Sequence, residues 1–509
     1  MRTIALALIT TAVLTVSWRW GSFVAGGSDS YCYLHQAERW ADALAHPFAG
    51  RLQVAEPLAL AVPWPDGPVS FTPIGHVASP TEPGAIVPIC PAGLSMAMAP
   101  FVLAGGPRAA FLVIPICAVL LVLATFAAGA RFGAPVGVAA ALVTAASPAF
   151  LYQALQPMSD VPAAALWMLA VACATGAKSR HVVLSGLATS AAILVRPNLL
   201  PLGVVIGLFL LLRPERTWRH RVRDAVVYAA CCVPGCAGVA AVQWAFYGSP
   251  LSSGYGSFSN LFSLDNSGPN LRRYLAWLWQ AHTPLVAAAA LAPFLLPGPL
   301  SALFIALFLV NLALYLPYIV FEDWSFLRFL LPSLPLLLIL AVASLDAAWR
   351  RRRLPGRTAM LAVAAVVWAA LMVDEARDRS TFRLQSMEAR FEQAGTFVAE
   401  RLPANAIVLA AWESGSVRFY SGRKTMAWHG LNPAWLDRAI VELRGRGYEP
   451  YLLLERWEEP EFRARFSGSA LGALDWPPAF EIASQVRIYR PDDRARFLRG
   501  LAAPTEYVR

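Results

Sequence analysis

Apolar residues fall in long runs separated by short polar breaks, the pattern of a chain that crosses a membrane many times rather than one that folds in water. The runs cover 4–24, 107–129, 133–151, 161–177, 182–195, 199–212, 225–246, 284–296, 300–319, 329–345 and 359–373, eleven in all. A helix needs about 20 apolar residues to cross a hydrocarbon core of roughly 30 Å, and the first run meets this although Arg19 interrupts its outer end. Met1-Arg2 followed by an apolar run also opens a cleavable signal peptide, but Trp18-Arg19-Trp20 and the lack of a small-x-small cleavage site favour a retained anchor.

Basic residues give these crossings a direction. Arg2, Arg131, Lys178, Arg180, Arg213, Arg216, Arg219, Arg221, Arg223 and the run 350–353 with Arg357 fall on one side, whereas the short loops opposite hold only Arg196, Arg272, Arg273 and Arg328. The basic side is expected to be cytoplasmic. The N-terminus is then inside, and an odd number of crossings carries the C-terminal part outside. The expected fold is a polytopic α-helical membrane protein with about eleven transmembrane helices. Residues 1–373 form the membrane domain, which includes a first exterior loop at 26–106; residues 374–509 form a C-terminal exterior domain.

In that first loop, Tyr33, Ala37, Trp40 and Leu44 recur at helical spacing over 30–45, predicting a helix on the membrane surface with its tyrosine and tryptophan at headgroup level. A second exterior stretch, 247–283, has Gly- and Ser-rich punctuation before an amphipathic segment at 271–279 and reads as a lid. In the tail, 388–402 and 433–444 read as helices, the second with Asn432 as N-cap and Pro433 in first position. Residues 406–412 and 451–454 read as strands, so the tail is a small α/β domain. It has neither a Gly-x-Gly-x-x-Gly nor a phosphate loop.

Composition agrees with a membrane protein: 57% of residues are hydrophobic and 15% charged, against roughly 25% charged in soluble domains. The mean hydropathy is +0.51. A net charge of +10 would point to nucleic acid in a soluble protein, but here it is topology signal, and no nucleic-acid partner is expected. Cys117, Cys173, Cys231, Cys232 and Cys236 lie in apolar runs and read as small buried residues. Cys32 and Cys90 lie in the oxidising first loop and can bridge if their Cα atoms come within about 7 Å. No cysteine and histidine spacing matches a structural zinc site.

The chemistry resides in ionisable residues at the ends of crossings. Asp29, in Gly26-Gly27-Ser28-Asp29-Ser30-Tyr31, follows the first crossing immediately and can meet both a membrane-dissolved and an aqueous substrate. Asp160, in Met158-Ser159-Asp160-Val161-Pro162, opens the fourth crossing from the same face; a helix-start carboxylate favoured by the macrodipole explains it equally well. Arg196, in Val195-Arg196-Pro197-Asn198, needs a partner or an interface in so apolar a setting. Arg328 is open to an ion pair with Glu322 or Asp323 and to phosphate binding.

With these motifs the chain resembles the GT-C glycosyltransferases of the protein O-mannosyltransferase and lipid A aminoarabinose transferase type, often called glycosyltransferase family 39. The resemblance rests on Ser28-Asp29-Ser30 after the first crossing, the long first exterior loop, Met158-Ser159-Asp160-Val161-Pro162, and Arg328-Phe329-Leu330-Leu331-Pro332-Ser333-Leu334-Pro335 opening the tenth crossing. It spans about 1–373, and the tail looks like the periplasmic α/β domain of many bacterial members. It implies a glycosyltransferase of the bacterial inner membrane, with Asp29 as catalytic base; where many members have Asp-Glu, this chain has Asp29-Ser30. The expected donor is a polyprenyl-phosphate sugar and the acceptor a lipid, protein or glycan, with membrane lipids as surroundings. A need for a divalent metal stays open. Attack on the anomeric carbon inverts it, Arg328 and Arg196 hold the departing phosphate, and Asp160 orients acceptor or sugar or keeps Asp29 ionised. A lipid or solute transporter or flippase, and a receptor or assembly scaffold, are the rival readings. A transporter would place its charges near the midplane in repeat-related broken helices, and neither the acids' positions nor any repeat here matches that.

Overall fold

The computed structural model describes residues 2–55, 71–176, 178–353, 355–501 and 504–508; the middle of the first exterior loop, at 56–70, lies outside them. The chain divides into two compact units. The first comprises Met1–Gly21, Pro91–Val242 and Gly256–Leu384; the second comprises Ser22–Cys90, Gln243–Tyr255 and Gln385–Arg509. The second unit therefore groups the first exterior loop up to Cys90 with the tail.

The first unit is helical, and each of the eleven apolar runs forms helix. Among the described residues four helices are long and apolar enough to cross a membrane: Arg2–Trp20, Pro107–Phe132, Trp218–Tyr247 and Arg357–Asp378. Two bent pairs raise the number to six: Ala134–Ala146 with Pro148–Ala154 at 61°, and Trp324–Leu330 with Leu334–Arg351 at 85°. The remaining apolar helices are shorter. Ile4, Leu8, Val226, Val233, Val363 and Val367 point outward from the long helices and are exposed. Outward faces this apolar suit lipid rather than water. Inside, small residues allow close approach: a Cβ on Gly129 would come within 3.1 Å of Gly137 Cα on the neighbouring helix.

One apolar helix was not expected. Ala92–Gly105 lies in what reads by sequence as loop, and it is helical despite Pro100 in its interior.

The second unit is built on a six-stranded sheet and a small three-stranded one. In the small sheet β1 (Val54–Ala55) and β2 (His76–Ala78) both pair antiparallel with β3 (Ala85–Pro88). The larger contains β4 (Ala406–Ala410), β5 (Lys424–Ala427), β6 (Glu449–Glu455), β7 (Phe480–Ile482), β8 (Val486–Tyr489) and β9 (Glu506–Val508). Its order is β5-β4-β6-β8-β7-β9, with β4 parallel to β5 and β6 and β8 antiparallel to both its neighbours. β4 is buried on both faces: Ile407 and Leu409 enter one apolar cluster, Ala406, Val408 and Ala410 another. The period-2 alternation of a strand makes that split. The helices expected in the tail are present as Leu384–Arg401 and Leu436–Gly445. Asn432 caps as expected, its side chain accepting from Ala434 N at 3.0 Å, although the first turn, Pro433–Trp435, is 3-10.

The first exterior loop is tied into this unit by polar contacts. Ile74 N donates to Ser414 Oγ at 2.9 Å, Ala427 N to Thr72 O at 3.0 Å, and Arg418 Nη1 to Phe71 O at 3.0 Å. The expected helix appears as Asp29–Ala45. Its Tyr33 is buried in protein, because Tyr33, Ala37 and Ala41 share the inward face at i, i+4 and i+8.

Cys32 and Cys90 are joined as a disulfide, with Cα atoms 6.2 Å apart. The bond fixes the second turn of the Asp29 helix to the residue before Pro91. Cys90→Ser is expected to lower stability by about 2–4 kcal/mol, and peptide mass analysis without reductant should recover residues 32 and 90 linked in the parent protein.

A second prediction concerns pH. Glu458 accepts from Trp412 N at 3.2 Å and from Glu455 N at 2.8 Å. Burial nevertheless pushes its carboxyl from 4.5 up to about 7. Folding then favours the protonated form, so its contribution is fully present below the unfolded value and is lost as pH rises through about 7. Melting temperatures should fall between pH 5 and pH 8, and fall less in Glu458→Gln. An equal fall in both proteins would remove Glu458 as the cause.

Candidate active site

Three helix breaks in the first unit each deliver one charge. Asp160 is the first residue of helix Asp160–Ala174, with Pro162 in the first turn where its missing N–H costs nothing. Arg196 follows helix Ser179–Val195 and precedes Pro197, which pushes it into an extended conformation at φ −142° and ψ 88°. Gly93 packs against that helix end, where a Cβ would lie 2.3 Å from the Leu194 carbonyl carbon. Only glycine allows this approach, and it fixes the backbone leading to Arg196. Arg328 lies in the 3-10 segment Trp324–Leu330, which Asp323 begins by accepting from Ser325 N at 2.8 Å.

The three side chains converge. Arg196 Nη2 donates to Asp160 Oδ1 at 2.5 Å and Arg196 Nε to Ser159 Oγ at 3.2 Å. Arg328 Nη1 lies 3.9 Å from Asp160 Oδ2. Side-chain exposure rises outward, from 0% at Asp160 to 10% at Arg196 and 18% at Arg328. The carboxylate is thus sealed in and the Arg328 guanidinium is the most accessible of the three. Two guanidiniums face one carboxylate. A buried cluster of that kind suits an anion with several oxygens, because a guanidinium fork matches phosphate geometry.

Aromatic rings wall this cluster. The Phe329 ring lies 6.0 Å from the Arg196 guanidinium carbon and 5.4 Å from that of Arg328, and Phe326 lies 5.2 Å from the latter. Tyr315 stacks on Phe329 at 4.7 Å, and its hydroxyl accepts from Asn198 Nδ2 at 2.8 Å. Sequence reading missed Tyr315 and Asn198. The available signal was polarity at the ends of apolar runs, two residues past Arg196 and two before Pro317.

Asp29 belongs to the second unit, where it is half-buried as the first residue of its helix. Gly27 precedes it with φ +55°, a left-handed turn that favours glycine and directs the chain into the helix. Two turns along, His35 Nδ1 and His76 Nε2 are 2.9 Å apart, with the Tyr31 ring stacked on His35 at 5.4 Å. Burial, then the charges of Arg39 and Arg418, lowers His35 to about 3. Burial, with His35 and Arg418, likewise lowers His76. The pair is neutral at physiological pH, and sequence reading did not single it out. The structure therefore brings Asp160, Arg196 and Arg328 together, while Asp29 stands in the other unit. Among the described residues no group of three or more His, Cys, Asp or Glu side chains is arranged to hold a metal ion.

No family model and no curated protein sequence matches the chain. Solved structures do. ArnT from Cupriavidus metallidurans aligns over 99% of both chains in its apo state, with a TM-score of 0.57 and 13% identity. Its structure bound to undecaprenyl phosphate aligns over the same shares with a TM-score of 0.56. The Archaeoglobus fulgidus oligosaccharyltransferase, in complex with zinc and sulfate, aligns over 96% of this chain and 73% of its own, with a TM-score of 0.51 and 10% identity. Arabinofuranosyltransferase AftD from Mycobacteria covers 95% of this chain and 39% of its own, with a TM-score of 0.52 and 16% identity. These are GT-C glycosyltransferases, and the chain has their fold, that of a multi-pass membrane protein.

Proposed function

We propose that this GT-C-fold chain is a membrane glycosyltransferase that moves a sugar from a polyprenyl-phosphate donor to an acceptor hydroxyl on the periplasmic face of the inner membrane. The observation that carries the reading is the convergence of the Arg196 and Arg328 guanidiniums on the buried Asp160, in a chain whose fold ArnT shares. In this reading Arg328 and Arg196 hold the donor phosphate. Asp160 fixes Arg196 by direct bonding, and Arg328 is the more exposed of the two arginines. Asp29 takes the proton of the acceptor hydroxyl as that oxygen attacks the anomeric carbon. The bond from that carbon to the phosphate oxygen breaks, polyprenyl phosphate leaves, and the configuration inverts. The acceptor is a lipid, a protein or a glycan.

The topology that goes with it has eleven crossings, a cytoplasmic N-terminus and an external α/β tail. Five of the six helices of 10–17 residues, all but Ala92–Gly105 in the first exterior loop, then cross or half-cross where the bilayer thins around the protein. A periplasm-active reporter fused after Arg509 should be active, and a cytoplasm-active one silent. The reverse result would overturn the arrangement and move Asp29 to the wrong side.

The test of function is transfer by purified protein in proteoliposomes supplied with polyprenyl-phosphate sugars and membrane-derived acceptors. Release of polyprenyl phosphate matched by sugar on the acceptor supports the proposal. Movement of intact donor between leaflets without transfer would establish a flippase instead.

A further inference from the structure

The tail carries a cleft that the transfer reaction does not use. Its volume is about 320 Å³, within the roughly 300–1,000 Å³ of small-molecule sites and near the low end. Strand β9 pairs in parallel with β7, with Phe480 opposite Glu506, and helix Pro491–Phe497 leaves the end of β8. The cleft opens among these elements. Three arginines, Arg401, Arg490 and Arg496, line it with two acids, Asp493 and Glu506.

These charges are not equally matched. Arg401 Nη2 reaches both Glu506 oxygens, at 2.8 and 3.0 Å, and that pair is neutral. Arg496 and Asp493 approach only to 3.7 Å, with the arginine side chain more than half exposed. Arg490 has no carboxylate within ion-pair distance among the described residues. Its guanidinium lies instead over the rings of Phe480 at 5.0 Å and Tyr451 at 5.9 Å and beside the Tyr451 hydroxyl, with its Nε sealed from solvent. Two rings hold the head of a half-buried cation at the cleft wall, so it meets an incoming anion without first losing side-chain freedom. The remaining wall is apolar: Phe497 is exposed and prolines flank Phe480.

We propose that this cleft binds a monosaccharide-sized anion, a uronate or a sugar phosphate, with Arg490 and Arg496 on the charged group and the C–H face of the ring against Phe497. Binding there is separate from transfer, so the inference stands or falls apart from the proposed activity.

The test is titration calorimetry on the full-length protein in detergent with D-glucuronate, glucose 6-phosphate, inorganic phosphate and glucose. One of the two anionic sugars should bind with one-to-one stoichiometry, and whichever binds more tightly identifies the anionic group. Glucose and inorganic phosphate should bind at least about tenfold more weakly, since each lacks half of the recognition. Arg490→Gln should weaken the anionic sugar by about tenfold or more, with Arg490→Lys between. If Arg490→Gln lowers the melting temperature, Arg496→Gln at the exposed rim is the readout, and a loss of several-fold is expected. No binding of either anionic sugar, equal binding of glucose, equal binding of inorganic phosphate, or unchanged affinity in a folded Arg496→Gln protein would each overturn the proposal.

Discussion

Asp29→Asn is expected to lower sugar transfer by about 100-fold or more while leaving the fold and donor binding intact, the usual scale for loss of a general base. Asparagine matches aspartate in size and still accepts at a helix start. The macrodipole contributes about 0.3–1 kcal/mol to the folding cost. What disappears is a site for the acceptor's proton. KM for the donor should hold while kcat falls, because the base acts only as the acceptor oxygen attacks. Raising the pH should not restore the rate, since the amide has no proton-accepting form in the working range. A well-folded Asp29→Asn protein with full transfer activity would remove Asp29 as the base. A protein that lost donor binding and transfer in proportion would make Asp29 a binding residue instead.

The fold was legible where the physics is local. Apolar runs marked every apolar helix of the first unit but Ala92–Gly105, whose flanking Pro91 and internal Gly93 and Pro100 carry the composition of a loop. That helix forms because its apolar surface is buried among others, a tertiary gain that outweighs local propensity. The tail's strands β4 and β6 were readable from their apolar length, whereas β7, β8 and β9 have only three or four residues each, too few for alternation to register. At the site, sequence required a partner for Arg196 but did not say which. The partner, Asp160, is 36 positions away, and pairing over that distance is set by helix packing. For Arg328 the nearby acids were the natural candidates. In the structure Asp323 begins a 3-10 turn, Glu322 lies 3.4 Å from Arg273, and Arg328 is drawn toward Asp160.

Those distances predict that the two arginines fail in different ways when truncated. Arg196→Ala removes the 2.5 Å bond to a carboxylate with no exposed surface and leaves only Arg328, 3.9 Å away, as its counterion, so it should destabilise the protein by up to about 3–5 kcal/mol, the cost of breaking a buried pair. Asp160→Asn combined with Arg196→Ala removes that charge, so the double variant should recover part of the loss, which melting curves of the full set will show. Arg328→Ala leaves the Asp160–Arg196 bond in place, and its melting temperature should drop less. Its deficit should instead appear in donor binding and turnover together, about 10- to 100-fold in each, because the phosphate carries one negative charge in the bound donor and gains a second as it leaves. Arg328→Lys should recover only part of this, since an ammonium keeps the charge but not the two-pronged geometry. If Arg328→Ala binds donor normally and loses only stability, the guanidinium is a structural counterion to Asp160, and the phosphate site must be sought elsewhere in the first unit.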